Sequence, residues 1–388
     1  MPAPPALDGI TVLDFSTVGP GSRCTRILAD FGATVVKVGV PPSKSGKQVQ
    51  PAYWAYSANR GQKQVRIDLK DPRGKQAFFA LARGADVVLE SFRPGVVDRL
   101  GIGFEDLRPH NPRIVYCSTS GYGQDGPASK WAGHDLNYLA VSGYLACSEP
   151  GVGGKPPIPG ATIADSAAGG MHAALSILAA LLRREKTGQG EYLDVSVADG
   201  ALSLMSLYID QYLATGEKPG PRHDVLTGRY AYYDTYEAAD GKWLAVGAIE
   251  PHFYANLCKR IGCEQWLAHQ NDDAVQEKVR ADFAAAFKTR SRDAWVAELS
   301  GHDTCVSPVY AIDEVLDDPQ FQARRVFTEA THPAHGRVRQ LAPVFAGMPR
   351  GQVVAAGDAT QSDSEALLRE AGLDPASLEE LRAAGIID

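Results

Sequence analysis

Four short, almost wholly apolar runs, separated by segments of helical spacing, constrain this chain more than any other feature. They are Ile10 to Phe15, Ala33 to Val38, Ala85 to Glu90 and Ile114 to Ser118, each of strand length. Strands that are apolar on both faces belong in a parallel sheet covered by helices on both sides. The intervening segments supply such helices. Arg23 to Phe31 has apolar spacing through Ile27, Leu28 and Phe31, with Gly32 fitting the position just past a helix end, and Pro72 to Arg83 reads as a second helix. The expected fold class is therefore α/β, built on a parallel sheet. Gly19-Pro20-Gly21-Ser22 interrupts the chain after the first strand, where a dinucleotide-binding fold keeps its glycines. The GxGxxG spacing is absent, so the turn reads as punctuation and not as a nucleotide cradle.

A further strand, Gly190 to Val197, follows the strongest helical segment of the chain. That helix starts at Asp165 and carries apolar residues at Met171, Leu175, Ile177, Leu178, Leu181 and Leu182, ending near Arg184. Asp199 to about Tyr212 reads as another helix. Thr215 to Pro221 is the clearest linker, and beyond it the texture turns to tyrosine-rich strands. Arg229 to Glu237 and Lys242 to Ile249 should form a hairpin about Asp240-Gly241. Helices near 251–261, 275–288 and 293–299, a short strand at 306–311 and a return strand near 337–341 complete the pattern. The expected organisation is a large α/β domain over 1–214, a linker over 215–225, a small α+β domain over 226–325, and a return segment over 326–388. Two acidic segments, Ser362 to Ala371 and Pro375 to Ala384, should close the chain as surface helices on the large domain.

Composition narrows the function. The 388 residues are 44% hydrophobic and 22% charged, as in a soluble globular protein, and no apolar run is expected to reach the roughly 20 residues that cross a bilayer. The N-terminal segment lacks the basic and apolar regions of a signal peptide, which places the chain in the cytoplasm. Six scattered cysteines show neither CxxC nor Cys/His metal spacing, so reduced thiols and no bound metal are expected. A formal charge of −7 argues against a nucleic-acid or anionic-membrane surface, and any anionic ligand must be met by a local basic pocket.

Several stretches offer chemistry. Ala132 to Tyr138 gathers His134, Asp135 and Tyr138 just after a turn-rich segment. A helical period from Asp135 would send Tyr138 to the side of His134, and Leu136 and Leu139 toward packing. The histidine is either chemical or a hydrogen-bonded structural residue. Asp165 opens the strong helix, either as a cap or as a carboxylate beside backbone amides that can hold an oxyanion. Asn59 to Lys70 packs four cations around one short strand, read as surface charge or as an anion site. Glu90 to Gly101 places a strand end, a turn and a short helix in succession, where Arg93 and Arg99 can clamp phosphate. The polar loop from Pro41 to about Ala52 is long enough to be functional.

Leu7-Asp8-Gly9 followed by Val12-Leu13-Asp14, the strand from Asn59-Arg60-Gly61 to Leu69-Lys70, Arg93-Pro94-Gly95, Gly121 to Pro127, and Arg184 to Val197 together resemble the class III CoA-transferase family. Gly133 to Tyr138 and Ala245 to Tyr254 resemble its α-methylacyl-CoA racemase branch in particular. The resemblance implies a Rossmann-like large domain, a small domain reached by long linkers, and an interlocked homodimer. It also implies an acyl-CoA thioester as substrate, with no cofactor beyond that coenzyme A moiety. Carried onto this sequence, it makes His134 and Asp165 paired bases and Glu250 the partner that supports His134. It places Arg93, Arg99, Asp135 and Tyr138 against coenzyme A, with Arg60, Lys63 and Arg66 as weaker candidates from the basic strand.

The implied reaction is interconversion of epimers at the α-carbon of a 2-methylacyl-CoA. Such a reaction needs a base on each face of a planar enolate and donors aimed at the thioester oxygen, here the amides opening the Asp165 helix. The alternative is a CoA-transferase in which Asp165 is the nucleophile and passes through an aspartyl-CoA anhydride. A catalytically silent CoA-thioester-binding protein is a third reading. Three departures from the family bear on specificity. Gly39-Val40 follows the second strand where relatives carry an acidic residue or arginine, Leu226-Thr227-Gly228-Arg229 replaces a Leu-Asp-Gly-Gly type sequence, and methionine occurs only at positions 1, 171, 205 and 348. A smaller or aromatic acyl group, near Tyr230, Tyr232 and Tyr233, fits that shortage of methionine.

Overall fold

The protein is described from a computed structural model that covers residues 4–44, 59–332, 335–348 and 362–388. Six strands form a sheet: β1 (Thr11–Asp14), β2 (Thr34–Gly39), β3 (Lys63–Arg66), β4 (Val87–Glu90), β5 (Val115–Ser120) and β6 (Tyr192–Ser196). Every pairing is parallel, in the order β3-β2-β1-β4-β5-β6. This is a doubly wound arrangement whose strand order reverses between β1 and β4, and ligands of such sheets bind outside the carboxyl ends of those two strands.

The apolar runs work as their composition predicts. Successive residues point to opposite faces. Val12, Val35, Val87, Leu89 and Val115 pack with the helices Gly19–Asp30 and His172–Thr187. Their neighbours Leu13, Val36, Val38, Val65 and Val88 pack on the other face with the helix Pro72–Arg83. The last two helices, Ser364–Glu370 and Pro375–Ala383, are not mere surface elements. Leu367, Leu368, Leu378 and Leu381 enter the same core as Phe78, because their apolar residues fall on one side of each helix.

The chain divides into two compact units, one of residues 1–142, 159–205 and 320–388, the other of 143–158 and 206–319. In the second, β7 (Tyr233–Glu237), β8 (Trp243–Gly247) and β9 (Val306–Pro308) form an antiparallel sheet, and the hairpin turns where Gly241 adopts a positive φ of 76°. Tyr236, Tyr254, Leu257, Phe283, Phe287 and Trp295 form its core. The segment read as one helix from Asp199 is two, Val197–Leu204 and Ser206–Thr215, broken at Met205, which caps the first. Of the polar loop that begins at Pro41, residues 45–52 lie outside the described residues, and Pro42–Lys44 form a single tight turn.

The strong helix is also longer than its apolar period suggested. Ala164–Thr187 runs without interruption for 24 residues and contains an 18-residue window of mean hydropathy 1.3, long and apolar enough to cross a membrane by length and composition. That corrects the expectation that no such segment exists. Ala173, Ala174, Ile177, Ala180 and Leu181 are packed against the sheet, the usual duty of a core helix in a doubly wound fold.

Candidate active site

The first turn of that long helix is not α-helical. Ala164–Met171 is a π-helix, and Asp165 lies in its opening turn. Wide turns of this kind are frequent at functional sites. Across from it, the segment after β5 ends at His134, which adopts extended backbone (φ −131°, ψ 178°) and caps the helix Asp135–Val141. The His134 N–H donates to Asn137 Oδ1 at 3.0 Å, which leaves the exposed imidazole standing at the helix entry. Asp135 joins the two segments, since its Oδ1 accepts the backbone N–H of Asp165 at 2.8 Å.

The electrostatics agree with this closeness. Burial raises the pKa of Asp165, and Asp135 raises it further, while Arg23 and His134 act in the opposite direction. Tyr138 is buried, donates its hydroxyl to Gly133 O at 2.7 Å and meets Tyr122 edge-on at 5.2 Å. Burial, then Asp165, Tyr122 and Asp135, push its phenol up to about 12, so it stays protonated and holds the residue before His134 in place. Leu139 is fully buried as expected, whereas Leu136 is exposed, because the helix is only seven residues long and buries one narrow face.

Two of the amides at the opening of the Asp165 helix are already engaged within the protein. The Asp165 N–H is taken by Asp135 and the Ser166 N–H by Thr162 O at 3.0 Å. The N–H groups of Asp135 and Leu136 open their helix and have no intrahelical acceptor, which makes them donors beside His134 without an acceptor among the described residues.

The cations sort into two groups. Arg93 and Arg99 are exposed at the carboxyl end of β4, on either side of Gly95, and Lys63 is exposed at the start of β3. Arg60 is not available to a ligand. It is 1% exposed, and its guanidinium bonds Asp30 Oδ1 at 3.1 Å, Gln340 Oε1 at 2.9 Å and Leu341 O. A buried guanidinium needs such partners, and here they tie the segment before β3 to the end of the helix Gly19–Asp30 and to the strand Gly336–Leu341. Arg66 is likewise engaged, with Asp388 at 2.7 Å and Gln64. Glu250 belongs to the second unit, where it is the exposed cap of the helix Pro251–Ile261. Among the described residues no cluster of His, Cys, Asp and Glu has the form of a metal site.

Two neighbours of Asp165 escaped the reading of the sequence. A side chain on Gly19 would stand 3.7 Å from Asp165 Oδ2, and Arg23 acts on the Asp165 carboxylate from the same helix. Both follow β1, one of the two strands at the reversal of order, so the Gly-Pro-Gly turn is part of the site after all. Its strand end was the available signal.

A doubly wound sheet with a candidate histidine and a candidate carboxylate on segments that follow its strands has the form of a fold that binds small ligands at its carboxyl edge. Residues 7–355 match the model of CoA-transferase family III, and the chain belongs to that family of acyl-CoA enzymes. It is 39% identical to human alpha-methylacyl-CoA racemase over 83% of this chain and 82% of that one. It is also 31% identical to the acetyl-CoA:oxalate CoA-transferase of Acetobacter aceti, over 83% of this chain and 85% of the other. Among solved structures, the hypothetical protein Rv3272 from Mycobacterium tuberculosis superposes with a TM-score of 0.79 at 29% identity, covering 94% of this chain and 99% of that one.

Proposed function

We propose that the protein is an isomerase of the α-methylacyl-CoA racemase type, interconverting epimers at the α-carbon of a 2-methylacyl-CoA thioester. The observation that supports this reading is the hydrogen bond from the Asp165 N–H to the carboxylate of Asp135, the residue next to His134 in the chain. Neutral His134 and ionised Asp165 serve as the two bases. One takes the α-proton, and the conjugate acid of the other returns a proton to the opposite face of the enolate. The reverse direction exchanges the roles. The amides of Asp135 and Leu136 are the proposed donors to the enolate oxygen. Glu250 enters through the resemblance of its motif, as the carboxylate that supports the His134 imidazolium.

Arg93, Arg99 and Lys63 are the proposed contacts for the anionic groups of coenzyme A, joined by Asp135 and by the ring of Tyr138. No further cofactor belongs to the proposal, which includes a homodimer in the cytoplasm. The similarity to the human racemase and the presence of both bases support an isomerase. The Acetobacter relative keeps a CoA-transferase as the second reading, with Asp165 forming a covalent aspartyl intermediate that requires no second base. Incubation with a 2-methylacyl-CoA in D2O separates them. Deuterium at the α-carbon without an added acid is the expected result, and CoA movement to an added carboxylate without exchange would reverse the order.

A further inference from the structure

The half-buried and buried arginines of this protein are matched to acids. Arg60 pairs with Asp30, Arg66 with Asp388, Arg184 with Asp86, and Arg292 with Glu314. Arg23 makes no ion pair of that kind among the described residues, and the carboxylate it acts on is Asp165. Its Nη2 donates to Thr162 Oγ1 at 2.8 Å, a neutral acceptor, and its Nε is enclosed without an acceptor among the described residues. A guanidinium has five donor hydrogens in a planar fork that matches a carboxylate. Most of that fork is unused here, in an acidic chain, next to the reacting carboxylate Asp165.

The placement is built into the packing. Helix Gly19–Asp30 crosses the π-helix where Gly169 and Gly170 face it. A Cβ on Gly169 would come within 2.5 Å of Pro20 Cβ, and one on Gly170 within 2.8 Å of Arg23 Cβ, so only glycine permits this approach. Thr162 Oγ1 lies 3.3 Å from Ser166 Oγ, which extends the polar lining along the same side of Asp165.

We propose that Arg23 receives a substrate carboxylate beside Asp165, so that the site handles an acid with a second, uncombined carboxyl group. The proposal rests on Asp165 as the reacting residue. Under the isomerase reading the carboxylate is the far end of the acyl group itself. Under the transferase reading it belongs to a free acid that enters beside the thioester.

Binding is measured before turnover, so the outcome does not depend on which reaction the enzyme runs. Calorimetry compares thioesters of equal length with and without a terminal carboxylate: succinyl- against butyryl-CoA, glutaryl- against pentanoyl-CoA, adipyl- against hexanoyl-CoA. The wild-type protein should favour the carboxylated member of at least one pair by about 10- to 100-fold, the range expected for charged hydrogen bonds. Arg23→Gln, which keeps a donor for Thr162, should collapse that ratio toward one, and Arg23→Lys should restore part of it. A second arm titrates free succinate, glutarate and adipate in the presence of CoA. Preference in this arm alone assigns the carboxylate to a free acid. Equal affinities within every pair and no diacid binding would overturn the proposal, as would a preference that survives in Arg23→Gln. A failure of the D2O exchange with intact carboxylate preference would count against the isomerase reading and leave Arg23's role standing.

Discussion

Asp135 and Asp165, thirty residues apart in the chain, are joined by a single 2.8 Å hydrogen bond from the backbone of the second to the side chain of the first. The bond fixes where the π-helix begins relative to His134, while the negative charge of Asp135 raises the pKa of Asp165. The two effects separate by mutation. Asp135→Asn keeps an acceptor and removes the charge, so the acidic limb of the exchange rate should move to lower pH with a modest loss of rate. Asp135→Ala should show the same shift and a further loss of about 10-fold or more, since the Asp165 amide then lacks its acceptor. Unshifted limbs in both variants would detach Asp135 from the titration of Asp165.

His134 and Asp165 should fail in complementary ways. If each serves one face of the enolate, His134→Ala loses interconversion but retains exchange from the epimer served by Asp165, and Asp165→Ala does the converse. Glu250→Gln should resemble a milder His134 defect. In a transferase the losses are unequal: Asp165→Ala abolishes turnover and His134→Ala leaves much of it. Normal racemisation by both His134→Ala and Glu250→Gln would make that pair structural.

Arg93 and Arg99 should separate from Arg60 in opposite measurements. Either exposed arginine replaced by alanine should weaken CoA-thioester binding by about 1.5–3 kcal/mol, the value of a charged hydrogen bond. Arg60→Met should instead lower unfolding stability by roughly 1–3 kcal/mol, because it removes the buried guanidinium's bonds to Asp30, Gln340 and Leu341, although Asp30 keeps its pair with Arg26. A stable Arg60→Met protein with impaired CoA binding would reverse this assignment.

Glu90, at the carboxyl end of β4, is 2% exposed and accepts the Phe92 N–H at 2.7 Å. Burial raises its pKa to about 7, with Ser118 and the Phe92 amide acting against the shift. The folded protein therefore binds a proton there that the unfolded chain has already released above the ordinary glutamate range. Stability from this group is full below that range and is lost as the pH rises to about 7, by up to about 3 kcal/mol. Glu90→Gln should remove that part of the decline, seen as urea midpoints at pH 5 and pH 8 that differ less than in the wild type. Equal declines would mean that Glu90 is ionised in the folded state at both values.

The sheet was legible because Val12-Leu13, Val35-Val36 and Val87-Val88 are each apolar on two faces, a pattern with few alternatives to a covered parallel strand. His134 and Asp165 were legible as candidates because their motifs are local. What could not be read locally was partnership. Nothing near Arg60 in the chain announces Asp30 or Gln340, so a buried tie looked like part of a basic surface. Nothing near Asp165 announces Arg23, which arrives through glycines 146 residues and more further along.

The π-turn has a genetic consequence. A residue in an α-helix advances by about 100°, so an extra one accommodated in a widened turn changes the heading of everything before it while leaving the helix beyond in register. Asp165 lies in the opening turn of the widened stretch, and the residues that grip the sheet, from Ala173 to Leu181, lie beyond it. Loss of one codon between Ser166 and Met171 would let the turn relax to an ordinary α-helix, preserve the anchored half, and swing the carboxylate out of line with His134. The reading frame would survive and the fold with it. A lineage can thus retire this chemistry, or regain it, by an insertion or deletion of three nucleotides without altering the identity of any charged residue.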